Sequence, residues 1–350
     1  MNIEIENTVD SIAYDDLNLK KIHLDSLRPL PPALVHNLEE WFRIELTYTS
    51  NAIEGNTLSR KETALVVEKG LTIGGKSIRE HLEAINHDHA LGLIHSLTEQ
   101  TKTAITAPTI LAIHSLILKG IDADNAGRYR TVPVRISGSE VVLPNPRKVP
   151  DLMEDFIQWL HTSTTHPVEL AAQAHYKLVS IHPFVDGNGR TARLVMNLLL
   201  LMHGYPAAII RKTDRLSYIT ALEKAQLGGP LTPYKNLIKK AVNRSLDLYL
   251  KAAQGKPTAP DSDRVLKIGA LAKATNQTVP TIRFWTQEGL LHTVDKTASG
   301  YALYSHDCIA LCQHIRKLKA QRLSLAEIKE ALSNSQFDPE ELPPVQIPDF

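Results

Sequence analysis

Residues 188 to 202 of this 350-residue chain read NGRTARLVMNLLLLM, polar at the start and almost wholly apolar after Arg193. A helix that is apolar on every side must be buried on every side. Its longest apolar stretch, Leu198 to Met202 with its neighbours, falls far short of the roughly 20 residues needed to span a bilayer. The segment therefore belongs at the centre of a globular core, with its polar first turn facing a cleft. The rest of the composition agrees: 43% hydrophobic and 22% charged residues suit an ordinary soluble protein with a sizeable core. The start, MNIEIENTVDSI, has neither a basic nor an apolar run, which argues against a signal peptide. The two cysteines, Cys308 and Cys312, are four apart and make no disulfide framework, so a cytoplasmic setting without membrane partners is expected.

The pattern from Pro31 to about Lys251 is mostly helical. PPALVHNLEEWFRIELTY opens with prolines that suit a first helical turn, then shows apolar residues at helical spacing. SIREHLEAINHDHALGLIHSL, PTILAIHSLILKGI, VPDLMEDFIQWLHTS and PVELAAQAHYKLVSI read the same way, and Pro183 ends the last of them. GRYRTVPVRISGSEVVLPNP, from Gly127 to Pro146, breaks the rhythm with β-branched runs around SGS and predicts a short hairpin. AAQGKPTAPDSDR, from Ala252, reads as a linker. Beyond it two short amphipathic helices surround a polar turn. Between Arg264 and Leu332 ten Lys and Arg stand against five Asp and Glu, whereas Ser333 to Phe350 carry four acids and no base. The expected divisions are a helical region at 1–105, a catalytic core at 106–251, a linker at 252–263, a basic module at 264–332 and an acidic tail at 333–350.

The chemistry concentrates in HPFVDGNGR, residues 182 to 190, just ahead of the apolar helix. Free N–H groups at a helix N-terminus, with glycines that let the backbone approach closely, form an anion nest. Arg190 and Arg193 lie three apart on one face, and two guanidinium groups above a nest fit a polyphosphate. Asp186 beside phosphates calls for an intervening cation, which suggests Mg²⁺ held jointly with a nucleotide. His182, ordinarily titrating near pH 6.5, suits a general base. A Walker loop is absent. Residue by residue, each feature also fits a buried His, a glycine turn and arginines at a helix end; the fixed joint spacing favours the site.

HPFVDGNGRTAR resembles the Fic family signature HPFx(D/E)GNGRxxR at every specified position, and the resemblance extends over roughly Leu27 to Tyr249. It implies a mostly α fold, a helical core carrying a β-hairpin flap, and transfer of AMP from ATP to a Ser, Thr or Tyr hydroxyl of a target protein. By that resemblance His182 is the general base and Asp186 the metal ligand. Asn188 with the Gly187 and Gly189 backbone cradles phosphate, Arg190 and Arg193 hold the triphosphate, and Phe184 anchors the loop. The flap, Ser137, Gly138, Ser139, Glu140, Val141 and Val142, is expected to pair with the target by strand addition. TSNAIEGN resembles the family's inhibitory motif through Ser50, Glu54 and Gly55. A Ser and a Glu four apart share a helix face, and a carboxylate against Arg193 takes the place of the γ-phosphate. ATP then binds with its α-phosphate out of line.

Other candidates weigh less. His81, His87 and His89 lack the spacing of a metal site and read as packing and surface residues. His306, Cys308, Cys312 and His314 invite zinc, but a Cys pair at i and i+4 reads as core. IGALAKATNQTVPTIRFWTQEGLL, with SGYALYS and IRKLKAQRLSLAEIKEAL, resembles the MerR-type winged helix-turn-helix over about Val265 to Leu332. The resemblance implies DNA contacts by Lys273, Thr281 and Arg283 from a helix at about Thr278 to Glu288, a wing near Gly300 and Tyr301, and core packing by Trp285 or Phe284. It departs at Ala302, where a basic residue is usual, and lacks the long dimerisation helix, so a homodimer is expected through the larger unit. The alternatives are an ATP-sensing transcription regulator, a kinase-type transferase using the same pocket, and a protein-docking role for the C-terminal module.

Overall fold

The computed structural model describes residues 14–255, 265–296, 301–305, 307–321, 323 and 325–334. The chain divides into two compact units, 1–258 and 259–350. The first is helical: α1 (Asp15–Ser26), α2 (Pro32–Ile53), α3 (Arg60–Lys69), α4 (Ile78–Ser96), α5 (Ala107–Ile117), α6 (Val149–Thr162), α7 (Pro167–Ile181), α8 (Asn188–Met202), α9 (Arg215–Gln226) and α10 (Thr232–Ala253). Local chemistry sets several starts. Ser59 and Ser77 close capping boxes with Glu62 and Glu80, satisfying N–H groups that the first turn leaves open. Prolines in the first turns of α2, α5, α6, α7 and α10 cost no hydrogen bond there.

Twelve of the fifteen residues of α8 are buried, as its apolar body requires. Helix α7 packs along it, with α4 and α5 against other sides. One continuous apolar cluster runs from Tyr14 and Leu17 through Phe184 and Leu198 to Leu250, so residues on both sides of the expected 105/106 division share a single core.

Two expectations need correction. The flap between Arg128 and Asn145 is extended on either side of a turn at Ser137–Gly138, with Ser139 N–H donating to the Ile136 carbonyl (3.2 Å), but no strand ladder joins its arms. The expected linker starts two residues early, because α10 runs to Ala253. Linker residues 256–263, the Gly300 end of the wing, His306 and the tail from 335 lie outside the described residues.

The second unit holds α11 (Ile268–Ala274), α12 (Val279–Gln287), α13 (Asp307–Ala320) and α14 (Leu325–Asn334). Strands β1 (Leu266–Lys267), β2 (Asp295–Lys296) and β3 (Ala302–Tyr304) form an antiparallel sheet in the order β1-β3-β2. Its small core is built on Leu271, Ile282, Trp285, Tyr304, Cys312 and Ile315. Trp285 is buried and Phe284 exposed, so the first of the two aromatics takes the core position. Cys308 and Cys312 are both buried and not joined in a disulfide, and burial pushes Cys312 up to about 12. No helix among the described residues is long and apolar enough to cross a membrane.

Candidate functional site

The loop between α7 and α8 is held from four directions. His182 ends α7 in the left-handed region (φ 52°), which turns the chain sharply toward α8. Phe184 is fully buried and stacks on His114 with ring centroids 3.6 Å apart. His114 also accepts the Gly127 N–H at Nδ1 (3.0 Å), which leaves Nε2–H to donate to the Asp186 carbonyl (2.9 Å). Burial pushes this imidazole down to about 4, so it stays neutral and keeps that tautomer. Arg130, 2% exposed, donates from Nε to the His182 carbonyl (2.7 Å) and from Nη2 to the Pro144 carbonyl (2.7 Å). It therefore ties the end of the flap to the residue expected to act as base.

Asn188 has a different task from the expected one. Its side chain accepts the Phe184 N–H and donates to the Phe184 carbonyl, both at 2.9 Å, and so closes the loop on itself instead of facing phosphate. Gly187 caps α8 with φ 78° and no side-chain acceptor, which leaves the first N–H groups of the helix facing outward. A Cβ at 187 would also press on Ile117 and the His114 ring at 3.2–3.3 Å.

Glu54 sits at that helix end. It follows α2 directly, and Gly55 (φ 100°) turns the chain away. A Cβ built on Gly189 would overlap Glu54 Oε1. The same carboxylate oxygen accepts Arg193 Nη2 at 2.8 Å. Arg193 donates in addition to the Ser50 hydroxyl (Nε, 3.0 Å) and carbonyl (Nη2, 2.9 Å), so Ser50 and Glu54 grip one guanidinium together. Tyr218 accepts its Nη1 at 3.4 Å and lies 2.8 Å from His175 Nε2 behind it.

Arg190 does not stand beside Arg193 in a shared fork. It is buried against α4, with Nη1 3.3 Å from Glu83 Oε1 and Nη2 3.5 Å from Asp186 Oδ1. Its buried Nε has no hydrogen-bond acceptor. Asp186, half exposed, accepts the Gly187 N–H (2.6 Å) and Arg79 Nη2 (2.6 Å). A lone exposed carboxylate of this kind fits magnesium, which takes one or two carboxylates and fills its shell from phosphates and water. No cluster of three potential ligands occurs among the described residues, and Arg79 is exposed enough to swing aside.

His182 places Nδ1 3.3 Å from the Val179 carbonyl, and donation there leaves the Nε2 lone pair available. Burial lowers its pKa, partly opposed by the Val179 carbonyl and reinforced by the Arg130 charge. Of the flap residues, Val142 is 92% exposed, Ser139 Oγ accepts the Val141 N–H, and Glu140 N–H donates to Glu223 Oε1 (3.3 Å). The expected packing histidines are occupied structurally: His81 accepts the Ile73 N–H, and His87 lies buried against Thr47. In the second unit Arg283 and Lys273 lie on the surface, while the Thr281 N–H and hydroxyl are tied to the capping Thr278.

Sequence reasoning missed His114, Arg130, Glu83 and Arg79. An isolated histidine in the apolar PTILAIHSLIL was the available signal for the first; nothing local marked the other three.

Residues 104–200 match the Fic/DOC family, and residues 266–335 match the MerR HTH family regulatory protein. A curated relative, the Protein adenylyltransferase Fic of Drosophila persimilis, is 38% identical over 257 residues, 73% of this chain and 50% of the relative. The chain thus spans about half the length of the curated relatives it matches. Among solved structures, Fic-1 from C. elegans is 34% identical with a TM-score of 0.64, covering 72% of this chain and 76% of that one. A Fic domain containing signaling protein from Bacteroides thetaiotaomicron VPI-5482 is 29% identical with a TM-score of 0.65, covering 70% and 98%.

Proposed function

The chain belongs to the Fic/DOC family, and on that premise we propose that it moves AMP from ATP to a hydroxyl side chain of a protein, with Glu54 holding the reaction back. The observation that carries the reading is the seat of the Glu54 carboxylate, on the open N-terminus of α8 and in the grip of Arg193. The protein's own carboxylate marks an anion site beside a histidine with a free Nε2. The unsatisfied Arg190 Nε adds a buried donor with no acceptor.

In the reaction the acceptor oxygen bonds to the α-phosphorus, the bond to the β,γ-diphosphate breaks, and His182 Nε2 takes the hydroxyl proton. The Arg193 guanidinium and the N–H groups of α8 stabilise the negative charge of the phosphates. Asp186 would hold a magnesium ion, which supplies charge neutralisation on the phosphates. Arg130 and His114 act through the loop: they fix where His182 stands. With Glu54 in place, a γ-phosphate has no fork to enter, and the α-phosphorus misses the line of attack.

The test is incubation of the chain carrying Glu54→Gly with ATP labelled on either the α- or the γ-phosphate. Retention of the α-label alone on protein is the expected result. Retention of the γ-label alone identifies a kinase and overturns the reading, and retention of neither favours ATP sensing.

The second unit is proposed to bind duplex DNA through α12, which carries Arg283 on the surface and Thr281 at its capped start, supported by Lys273 on the surface of α11. Fluorescence anisotropy of the full chain against duplex DNA checks this: binding is expected to weaken steeply with salt as counterions are released. Negligible binding at low salt favours protein docking.

A further inference from the structure

An open groove of about 340 Å³ runs between α6 and α7. Leu152, Phe156, Trp159, Tyr176 and Ile181 line it, and Pro144 forms its lip. Two of these residues are bound to the site already described. Ile181 is the chain neighbour of His182, and Pro144 is the last flap residue gripped by Arg130, whose other donor holds the His182 carbonyl. The groove therefore opens beside the base, where the flap ends. Its walls are mainly aromatic and aliphatic, with Asp155, Lys177 and Ser180 also bordering it and the Lys177 ammonium 4.7 Å from the Trp159 ring centroid. The volume is at the lower end of pockets that hold small organic groups, the scale of one large side chain.

We propose that this groove takes a large apolar side chain of the protein being modified, two residues from the acceptor hydroxyl, and so selects the target sequence. The inference rests on the AMP-transfer reading and deepens it. Its occupant follows from continuity. A segment laid along the flap with its hydroxyl at His182 must cross the Pro144 lip, because Arg130 holds lip and base on one guanidinium. Successive residues of an extended segment advance about 3.3 Å, and alternate side chains share a face, so a residue two along projects to the same side as the acceptor. An apolar groove there rewards a Leu, Phe or Tyr and leaves Ala, Ser or Asp with little to bury.

The experiment uses the full chain carrying Glu54→Gly, α-labelled ATP and a peptide library with a fixed central Ser, Thr or Tyr and one varied position at each offset. Self-labelling is read in parallel and reports on AMP transfer itself: if it is absent, the underlying reading fails. With self-labelling present, the expected result is a preference of about tenfold or more in kcat/KM for large apolar residues over Ala at an offset of two on one side of the acceptor. Leu152→Trp, which fills the groove, should abolish that ratio, mainly through KM. Leu152→Ala, which enlarges it, should shift the preference toward Phe, Tyr or Trp. A flat profile at every offset overturns the proposal, as does an absence of labelled peptides while self-labelling persists. A preference that both Leu152 variants leave untouched overturns it too. A change in oligomeric state with Leu152→Trp, seen by sedimentation, would assign the groove to contact between copies and count against target selection.

Discussion

The loop from His182 to Gly189 and the flap from Arg128 to Asn145 are assigned to one proposed reaction and are built in opposite ways. The loop is over-determined: a fully buried Phe184, a reciprocal Asn188 clasp, the His114 stack and the Arg130 tie all fix it. The flap has one turn hydrogen bond of its own, an Arg130 N–H bond to the Pro183 carbonyl (2.9 Å) at its base, a few side-chain contacts and a Val142 that is 92% exposed. A base must stand within a few tenths of an ångström of its productive position, and buried packing supplies that. A backbone edge meant to receive another chain must instead keep its N–H and C=O groups unpaired. The contrast between rigid reagent and open receiver is the main lesson of the site.

The most severe way to test the rigid side is to remove its reagent. His182→Ala, in the Glu54→Gly background, is expected to lower AMP transfer by about 10²–10⁴-fold while leaving ATP binding largely intact, because the base acts on the hydroxyl. Labelling from α-labelled ATP and calorimetric titration of ATP read the two separately; undiminished labelling sinks the assignment. Removing the anchor comes next. Phe184→Ala should cost about 3–5 kcal/mol in urea denaturation, since it deletes a fully buried ring and its stack on His114.

Much of the rigid side was legible in the sequence. The helix from Asn188 and its burial follow from the apolar run, and the polar start follows from the glycines. The meeting of Ser50, Glu54 and Arg193 was reachable through the family resemblance of two motifs, since spacing alone reads equally as an ordinary helix end. The rest was not. Arg130 and Glu83 reach the loop across more than fifty residues of chain, and no local pattern encodes such a contact. The flap misled for the opposite reason. β-branched runs around SGS favour extended chain, but pairing depends on partners, and here the arms find none in each other. Asn188 shows a third limit: a side chain in a phosphate-type loop can be wholly used in closing it.

The latch is expected to have a smaller effect than the base. Glu54→Gly frees Arg193 and the α8 N-terminus and should raise self-labelling by about an order of magnitude or more. Equal activity of parent and variant across Mg-ATP concentrations would remove the latch from the account. Stability against acid sharpens the comparison further. His87 and His175 are pushed down to about 3 and His114 to about 4, all chiefly by burial. Each takes up its proton near pH 6.5 when unfolded but not when folded. The unfolded state therefore binds more protons, and stability, complete above pH 6.5, falls as pH drops toward 3–4. The slope is at most about 1.4 kcal/mol per pH unit for each histidine. Denaturation midpoints measured from pH 7 to pH 4 should fall, and His114→Gln should flatten part of that fall.

The smallest expected effect on the fold itself lies in the open receiver, and it separates backbone from side chain. Val142 touches little, so Val142→Ala should change stability by no more than about 0.5 kcal/mol. It also keeps its N–H, and labelling of a target peptide should persist if the flap pairs through its backbone. Val142→Pro is as easily accommodated by an exposed extended segment, but it deletes a donor and restricts Leu143's neighbour at φ. Its thermal midpoint should match that of the alanine variant, whereas peptide labelling should drop severalfold. Conversion of ATP in the absence of peptide should stay as it was, because no phosphate contact is involved. Equal labelling by the Ala and Pro variants would mean that the flap edge does not receive the target as a strand. The open side of the comparison would then be a loop without that function.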